Sequence, residues 1–294
     1  MNITFLGFGE AGAAIASGWA LPVPPTQRAF DIKTDSADPA IQSGKWADYE
    51  KCAVTGAQTL AEALAETEVV LSLVTADQAK IAARNAAPHL PKGAWFFDCN
   101  SCSPGAKQDS AAVITAAGGH YLDVAIMAPI HPLGPRTPML YAGPDAATAT
   151  AVFDALGFQG KAAGPEVGAA SATKMIRSVM VKGLEALICE CVLAGRKAGV
   201  IDPILRSLDQ TFPGFDWQNK AAYMLERVMV HGRRRAAEMR EVTQTLQDLG
   251  FDGAMASATA DWQQTIGDLA LDAGADDYEQ RADKILTALG KTAA

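Results

Sequence analysis

No run of eighteen uninterrupted apolar residues occurs in the chain, whereas a membrane-spanning helix needs about twenty. No transmembrane helix is expected. A signal peptide is not expected either, because strand-like sequence followed by a glycine-rich turn starts at Ile3. The cytoplasm is therefore the expected location. Cysteine is scarce, with five in 294 residues, and an odd count points to a reducing compartment rather than a disulfide framework. Cys99 and Cys102 have the two-residue spacing of a metal or redox pair, but no second pair and no histidine follows at zinc-ligand spacing. No metal is expected. Cys189 and Cys191 lie in an apolar helical run and read as small buried hydrophobes. Clustered positive charge is also lacking: the formal net charge is −8, which argues against a nucleic-acid footprint or an anionic membrane surface. The one basic run, Arg233 to Arg235, is too short to reverse that balance. No fixed-period repeat and no low-complexity tail is visible.

What remains is the composition of a globular protein, 49% hydrophobic and 20% charged, long enough for two domains. Up to about residue 163, the short apolar runs "ITFLG", "RAFDI", "VVLSLV", "AWFFDC", "YLDVAI" and "MLYAGP" alternate with alanine-rich amphipathic stretches at 58–66, 77–87, 104–117 and 145–156. Such alternation reads as βαβ units around a largely parallel sheet buried on both faces, an α/β doubly wound domain. After "GKAAGPEVG" the alternation stops. The rest reads as helix, broken at Asp202-Pro203, at Phe212-Pro213-Gly214 and around Gly250. The expected domains are 1–165 and an all-helical 166–294. The second is led by a helix over 167–198, roughly 45 Å long.

"ITFLGFGEAGAAIASGW" places Gly7, Gly9 and Gly12 in the G-x-G-x-x-G spacing, directly after an apolar strand and leading into a helix. That context matches the dinucleotide-binding fingerprint of the Rossmann fold. Gly7 permits the tight turn, Gly9 lets backbone approach a pyrophosphate, and Gly12 allows close packing. The loop Gly7, Phe8, Gly9, Glu10, Ala11 and Gly12 is the expected phosphate cradle, backed by the helix N-terminus. Nineteen residues after Gly12, Asp31 stands where a carboxylate bonds the ribose hydroxyls and repels a 2′-phosphate. NAD is the expected cofactor. Lys33 could accommodate that phosphate and keeps NADP as the alternative, and Asp31 as a capping or solvated loop carboxylate is the structural one.

With this fingerprint, "FFDCNSCSP" and "GAASATK" at the head of a long helix, the chain resembles the β-hydroxyacid dehydrogenases, a family that includes 3-hydroxyisobutyrate and 6-phosphogluconate dehydrogenases. The resemblance covers both domains. It implies a Rossmann domain for the dinucleotide, a helical domain for dimer contacts, and a lysine on the interdomain helix as acid and base. Residue by residue it carries over Gly168 and Lys174. It also carries over Asp98 and Ser101 of a DxxS element, with Ser101 bonding substrate, and puts Val74, Thr75, Ala76 and Asn100 at the cofactor. Ser101 or Ser103 before Pro104 could equally cap a helix. Two departures stand out. Where members carry Ser-Gly-Gly, this chain has Met127, Ala128 and Pro129; where they carry asparagine after the lysine, it has Ser178. "KGLEAL" and "HGRRRAAEMREV" resemble a branch whose helical domain has no known function.

On a helix, Ser171, Lys174, Ser178, Lys182 and Glu185 form one polar stripe. It reads either as a solvated face or, given the fingerprint, as the lining of a cleft with small residues clearing space beside Lys174. Hydride exchange between an alcohol and nicotinamide needs a group to take and return the hydroxyl proton. Desolvation and the nearby cations Arg177 and Lys182 would bring a lysine towards neutrality for that task. His231 and Arg233 to Arg235 read either as a solvated face, with Arg234 paired to Glu238, or as an anion clamp. The expected activity is transfer of a hydride between NAD and a β-hydroxy acid or related hydroxy-carbonyl compound, with Lys174, Ser101 and Ser178 as catalytic residues. The alternatives are an NADPH-dependent imine reductase and a non-catalytic dinucleotide-binding regulator. The expected partners are a small-molecule substrate and a second copy of the chain, in a homodimer built on the helical domains.

Overall fold

The computed structural model describes residues 1–291 and divides the chain into two compact units, Met1–Met175 and a second beginning at Ile176. In the first, eight strands form one sheet: β1 (Asn2–Leu6), β2 (Thr26–Phe30), β3 (Thr55–Gly56), β4 (Val69–Ser72), β5 (Trp95–Asp98), β6 (His120–Ile126), β7 (Met139–Ala142) and β8 (Gly160–Gly164), in the order 3-2-1-4-5-6-7-8. All neighbours run parallel except β6 and β7. The intervening helices are α1 (Glu10–Gly18), α2 (Pro39–Lys51), α3 (Leu60–Leu64), α4 (Ala79–Ala86), α5 (Pro104–Ala116) and α6 (Ala146–Ala155).

The apolar runs became central strands because both faces are covered. Val69 and Leu71 pack with Ile3, Phe5 and Phe97 on one face, whereas Val70 packs with Phe96, Leu64 and Ala83 on the other. Alternate strand residues thus enter opposite cores, and each side chain taken fully from water stabilises by about 1.5–3 kcal/mol. Helix starts follow local chemistry: Asp38 caps α2 ahead of Pro39, Thr59 caps α3, and Ser103 caps α5 ahead of Pro104. From β1 the chain moves one way to β2 and β3, then returns to β4 on the other side. The end of β1 is therefore the topological switch point, where doubly wound sheets bind ligands.

Two strands carry no apolar signal in the sequence. β3 is two residues long, and β8, "GKAAG", is an exposed edge strand drawn from the stretch at which the alternation was read as ending. The boundary also moves, from the expected 165 to 175/176. Its cause is the long helix α7 (Ala169–Lys197), whose first turn is bonded to Asp123 of β6 and so belongs to the sheet unit.

The second unit is helical, with the remainder of α7, α8 (Ile201–Thr211), α9 (Trp217–Asp248), α10 (Ala254–Asp268) and α11 (Tyr278–Ala288). The breaks expected near Pro213 and Gly250 are present, but Asp202-Pro203 does not break a helix. Pro203 sits in the first turn of α8, where a missing N–H costs no helical bond. The chain turns instead at Gly199, whose φ is +70°. Helices α9 and α10 cross at two glycines: a Cβ on Gly232 would press on the Gln263 carbonyl and lie 2.8 Å from Gly267 Cα. No helix among the described residues is long and apolar enough to cross a membrane.

Candidate active site

The glycine-rich loop joins β1 to α1 at the switch point. Gly7 has φ +83°, and a Cβ there would lie 2.7 Å from Val74 Cγ1 and 2.8 Å from the Leu73 carbonyl. Only glycine fits this close approach to the end of β4. Gly12 is crowded by the loop itself, with Phe8 Cδ2 at 3.1 Å from an added Cβ. At Gly9 an added Cβ would meet nothing within 4 Å. The loop is therefore packed tightly beneath Gly7 and Gly12 and open above Gly9 at the N-terminus of α1, the arrangement a pyrophosphate requires.

Phe8 buries its ring edge-on against Phe5 and Tyr49, and its backbone N–H donates to Asp31 Oδ2 at 2.8 Å. Asp31 Oδ1 accepts from Lys33 N at 2.9 Å. The carboxylate thus caps the short turn after β2 and is held beside the loop, so capping and ribose reading are compatible at this position. Glu10 and Lys33 are exposed, and Ala11 is partly buried. Two groups that the sequence did not suggest support the loop from below. Lys45, buried on α2, donates to the Phe8 carbonyl and pairs with Asp48 at 2.7 Å. Tyr49 is held above its ordinary pKa by burial and then by the Asp31 charge.

The next loops follow β4 and β5. Val74 N donates to Asn100 Oδ1 at 2.7 Å, while the Asn100 amide donates to Ser72 Oγ at 2.9 Å and to Asp98 Oδ1 at 2.7 Å. Asn100, expected at the cofactor, is buried and binds these two loops together. Thr75 is exposed and Ala76 partly so, beside it at the strand end. The Cys99 thiol is pushed up to about 12 by burial, which leaves it inert as a nucleophile or ligand.

Ser103 caps α5, with Ala106 N at 3.4 Å from its hydroxyl. Ser101 is therefore not the cap, and its Oγ accepts from Lys174 Nζ at 2.6 Å. The two residues lie 73 positions apart in sequence and are brought together by the ends of β5 and β6. Asp98 and Asp123 are register partners on these strands, both fully buried. Asp123 Oδ2 accepts from Gly168 N at 3.1 Å, Ser171 N at 3.0 Å and Ser171 Oγ at 3.1 Å, fixing the first turn of α7 one turn before Lys174. Asp98 accepts from Asn100 N at 3.0 Å and from Tyr121 OH at 2.8 Å.

This network corrects one expectation. Ser171 does not clear space beside Lys174; it is buried, with its hydroxyl on Asp123 and the Gly168 carbonyl. Its role is to anchor the helix. Met127 packs against Ala125, Ala142, Leu140, Ala169 and Ala170, followed by Ala128, partly buried, and Pro129, exposed. The loop after β6 is apolar, as its sequence implied.

The remaining candidates lie in the second unit, where Ser178, Lys182 and Glu185 are buried and paired. Ser178 accepts from Lys182 Nζ at 3.2 Å, and Lys182 pairs with Glu238 at 2.8 Å. Arg235 pairs with Glu185 at 2.6 Å. Burial raises the Glu185 pKa, opposed by Arg235, Lys182 and Arg227. Arg233 is exposed and pairs with Asp268 at 2.7 Å. Arg234 is exposed, and His231 is held below its ordinary pKa by burial and then by Arg227 and Arg234.

Comparison with known proteins accords with this geometry. Residues 2–130 match the NAD binding domain of 6-phosphogluconate dehydrogenase, and residues 196–266 match a domain of unknown function, DUF1932. A conserved hypothetical protein from Sinorhizobium meliloti 1021 is 36% identical, covering 98% of this chain and 96% of that one, with a TM-score of 0.73. A conserved protein of unknown function, described as structurally similar to 3-hydroxyacid dehydrogenases, is 26% identical over 91% of this chain and 97% of that one, with a TM-score of 0.66.

The chain thus joins an NAD binding domain of the 6-phosphogluconate dehydrogenase kind to a DUF1932 domain, in the build of the β-hydroxyacid dehydrogenase-like proteins. The 3-hydroxyisobutyrate dehydrogenase of Mycobacterium tuberculosis, solved with L-serine, shares the fold at 17% identity, covering 97% of this chain and 98% of that one, with a TM-score of 0.70. The chain thus carries an NAD(P)-binding domain on a hydroxyacid dehydrogenase-like fold.

Proposed function

We propose that the protein is an NAD-dependent dehydrogenase of β-hydroxy acids or related hydroxy-carbonyl compounds, with Lys174 as acid and base and Ser101 as the hydroxyl that holds the substrate. The observation that carries this reading is the 2.6 Å bond from Lys174 Nζ to Ser101 Oγ at the carboxyl ends of the strands. The loop Gly7 to Gly12 and Asp31 would hold the dinucleotide, which supplies the hydride chemistry when bound. Because the Ser101 oxygen accepts from Lys174, its own proton is free to be donated to a substrate oxygen. A substrate hydroxyl at that point lies within reach of the amine. In its neutral form the amine takes the hydroxyl proton; as ammonium it returns one to a developing alkoxide.

For the cofactor, the reading is supported by Asp31, whose carboxylate is fixed by Phe8 N and Lys33 N. A 2′-phosphate about 4 Å away would be repelled by roughly 1–4 kcal/mol at a protein surface, about fivefold or more in affinity. Fluorescence titration is therefore expected to show NADH binding more tightly than NADPH, and Asp31→Ala to narrow the ratio. A wild-type preference for NADPH would transfer the determinant to Lys33.

For the substrate, the apolar loop Met127, Ala128 and Pro129 supports an acid larger or more apolar than 3-hydroxypropionate, contacting the loop through carbon. The test is a thermal-shift screen of hydroxy acids with NADH present. A matching acid at about 100 times its dissociation constant adds about 2.7 kcal/mol, a rise of roughly 5 °C. Efficient turnover of tartronate semialdehyde would contradict the assignment.

The same reading has two copies pairing through their helical units. Ile176, Met180 and Leu187 support it, being exposed along one side of α7. A single-subunit mass in light scattering at micromolar concentration would contradict it.

A further inference from the structure

Lys107 has no part in the chemistry proposed above, yet it is among the most completely enclosed charged groups in the first unit. It lies on α5 with no exposed side-chain surface. Its Nζ donates to the Asp98 carbonyl at 2.6 Å and to Asp98 Oδ1 at 2.9 Å, and stands 3.5 Å from Asp123 Oδ1. Burial opposes its charge, but Asp98, Cys102 and Asp123 outweigh burial and hold its pKa above the ordinary lysine value.

The geometry explains why a cation is needed there. Asp98 and Asp123 are register partners on adjacent parallel strands and are both fully buried. Two ionised carboxylates so placed repel, and one would take up a proton unless a positive group intervenes. Asp123 is compensated partly by the N-terminus of α7, whose first-turn N–H groups point at it. Asp98 has the Asn100 and Tyr121 donors and Lys107.

The two carboxylates hold different halves of one pair. Asp98 anchors Asn100, the residue before Ser101. Asp123 anchors Gly168 and Ser171, the turn before Lys174. We infer that Lys107 is a positioning residue: its ammonium, locked between Asp98 and Asp123, keeps Ser101 and Lys174 in register with each other. The catalytic consequence rests on the function proposed above, whereas the charge-compensating role does not.

Lys107→Met keeps most of the stem volume and removes the charge. Other titratable groups facing the ammonium are Tyr121 on β6 and Cys102 and Cys99 in the loop after β5; a phenol or a thiol carries no positive charge in either protonation state, so they cannot replace it. Asp98 in the variant must then be protonated in the fold, so its folded pKa rises above the unfolded value of about 3.9. Stability from a raised carboxyl pKa is fully present below the unfolded pKa and is lost as pH rises through the folded one. The variant is expected to melt about 10 °C below wild type at pH 8, with the gap at least halved at pH 5. Its kcat at pH 8 should fall roughly 10- to 100-fold with NADH affinity unchanged, because small misplacements of reacting groups cost that much.

The decisive arm is rescue. Lys107→Met combined with Asp98→Asn removes both charges, and is expected to recover most of the melting temperature and to bring kcat within about fivefold of wild type. Should Lys107→Met alone fail to fold, the double variant must fold. A melting gap constant from pH 5 to 8, or a double variant no more stable than the single one, would show that Lys107 only fills space and overturn the inference. The melting arm needs no turnover, so it stands or falls apart from the assignment of Lys174. Recovery of stability without recovery of kcat, in an enzyme that wild-type assays show to be active, would overturn the positioning role specifically.

Discussion

Lys174→Met is expected to bind NADH as wild type does and to turn over its substrate about 10²- to 10⁴-fold more slowly, the range for losing a general acid–base group. The expectation rests on how separately the two tasks are housed. Dinucleotide binding is assigned to the loop Gly7 to Gly12 and to Asp31, whose carboxylate is held by Phe8 N and Lys33 N. The Lys174 amine, by contrast, is bonded to Ser101. Methionine replaces the stem of this partly buried side chain, so the packing of the first two turns of α7 is preserved. Those turns stay anchored through Ser171 and Gly168 on Asp123. The Ser101 hydroxyl is left intact, so substrate should still bind and the loss should fall on kcat rather than on KM. A variant within threefold of wild type would make Lys174 an ordinary helix residue.

The second large effect is structural. Gly232→Leu is expected to destabilise the helical unit by about 3 kcal/mol or more, beyond the usual range for overpacking. Even the first carbon of the new side chain would meet the Gln263 carbonyl, with Gly267 Cα at 2.8 Å and Gly267 N at 2.9 Å. These are backbone atoms of α10 and cannot rotate away. The two helices would have to separate, exposing Leu225, Val228, Met229 and Ile266 of the same core. Urea unfolding followed by circular dichroism should show an earlier helical transition. Val230→Leu, at an exposed position two residues before on the same helix, is the control and should leave the midpoint unchanged.

The sequence made the sheet legible because its central strands are apolar on both faces, and made the nucleotide loop legible because glycine spacing is a local signal. The pairing of Ser101 with Lys174 was legible only through resemblance, since no periodicity links residues so far apart. Lys107 went unnoticed for a related reason. A buried lysine in an alanine-rich helix looks like any surface lysine until the register of β5 with β6 places two carboxylates beside it. The cue was available in part, because Asp98 closes one otherwise apolar run and Asp123 interrupts another at its middle. The stripe on α7 was found as a polar row, but its environment was misjudged. Ser171 serves the cap of the helix, while Lys182 and Glu185 are paired to Glu238 and Arg235 of α9. Pairings across helices leave no trace in helical spacing. The edge strand β8 was missed because "GKAAG" contributes no apolar surface.

The most direct test of the account is nicotinamide absorbance in solutions of the wild-type protein, NAD and each member of a panel of β-hydroxy acids. Reduction of NAD is predicted with an acid bearing an apolar substituent, and its loss is predicted in Lys174→Met prepared alongside. If the protein binds NADH but absorbance stays unchanged with every acid, in either direction of the reaction, the protein is a dinucleotide-binding regulator and the assignment of Lys174 and Ser101 as its catalytic pair is wrong.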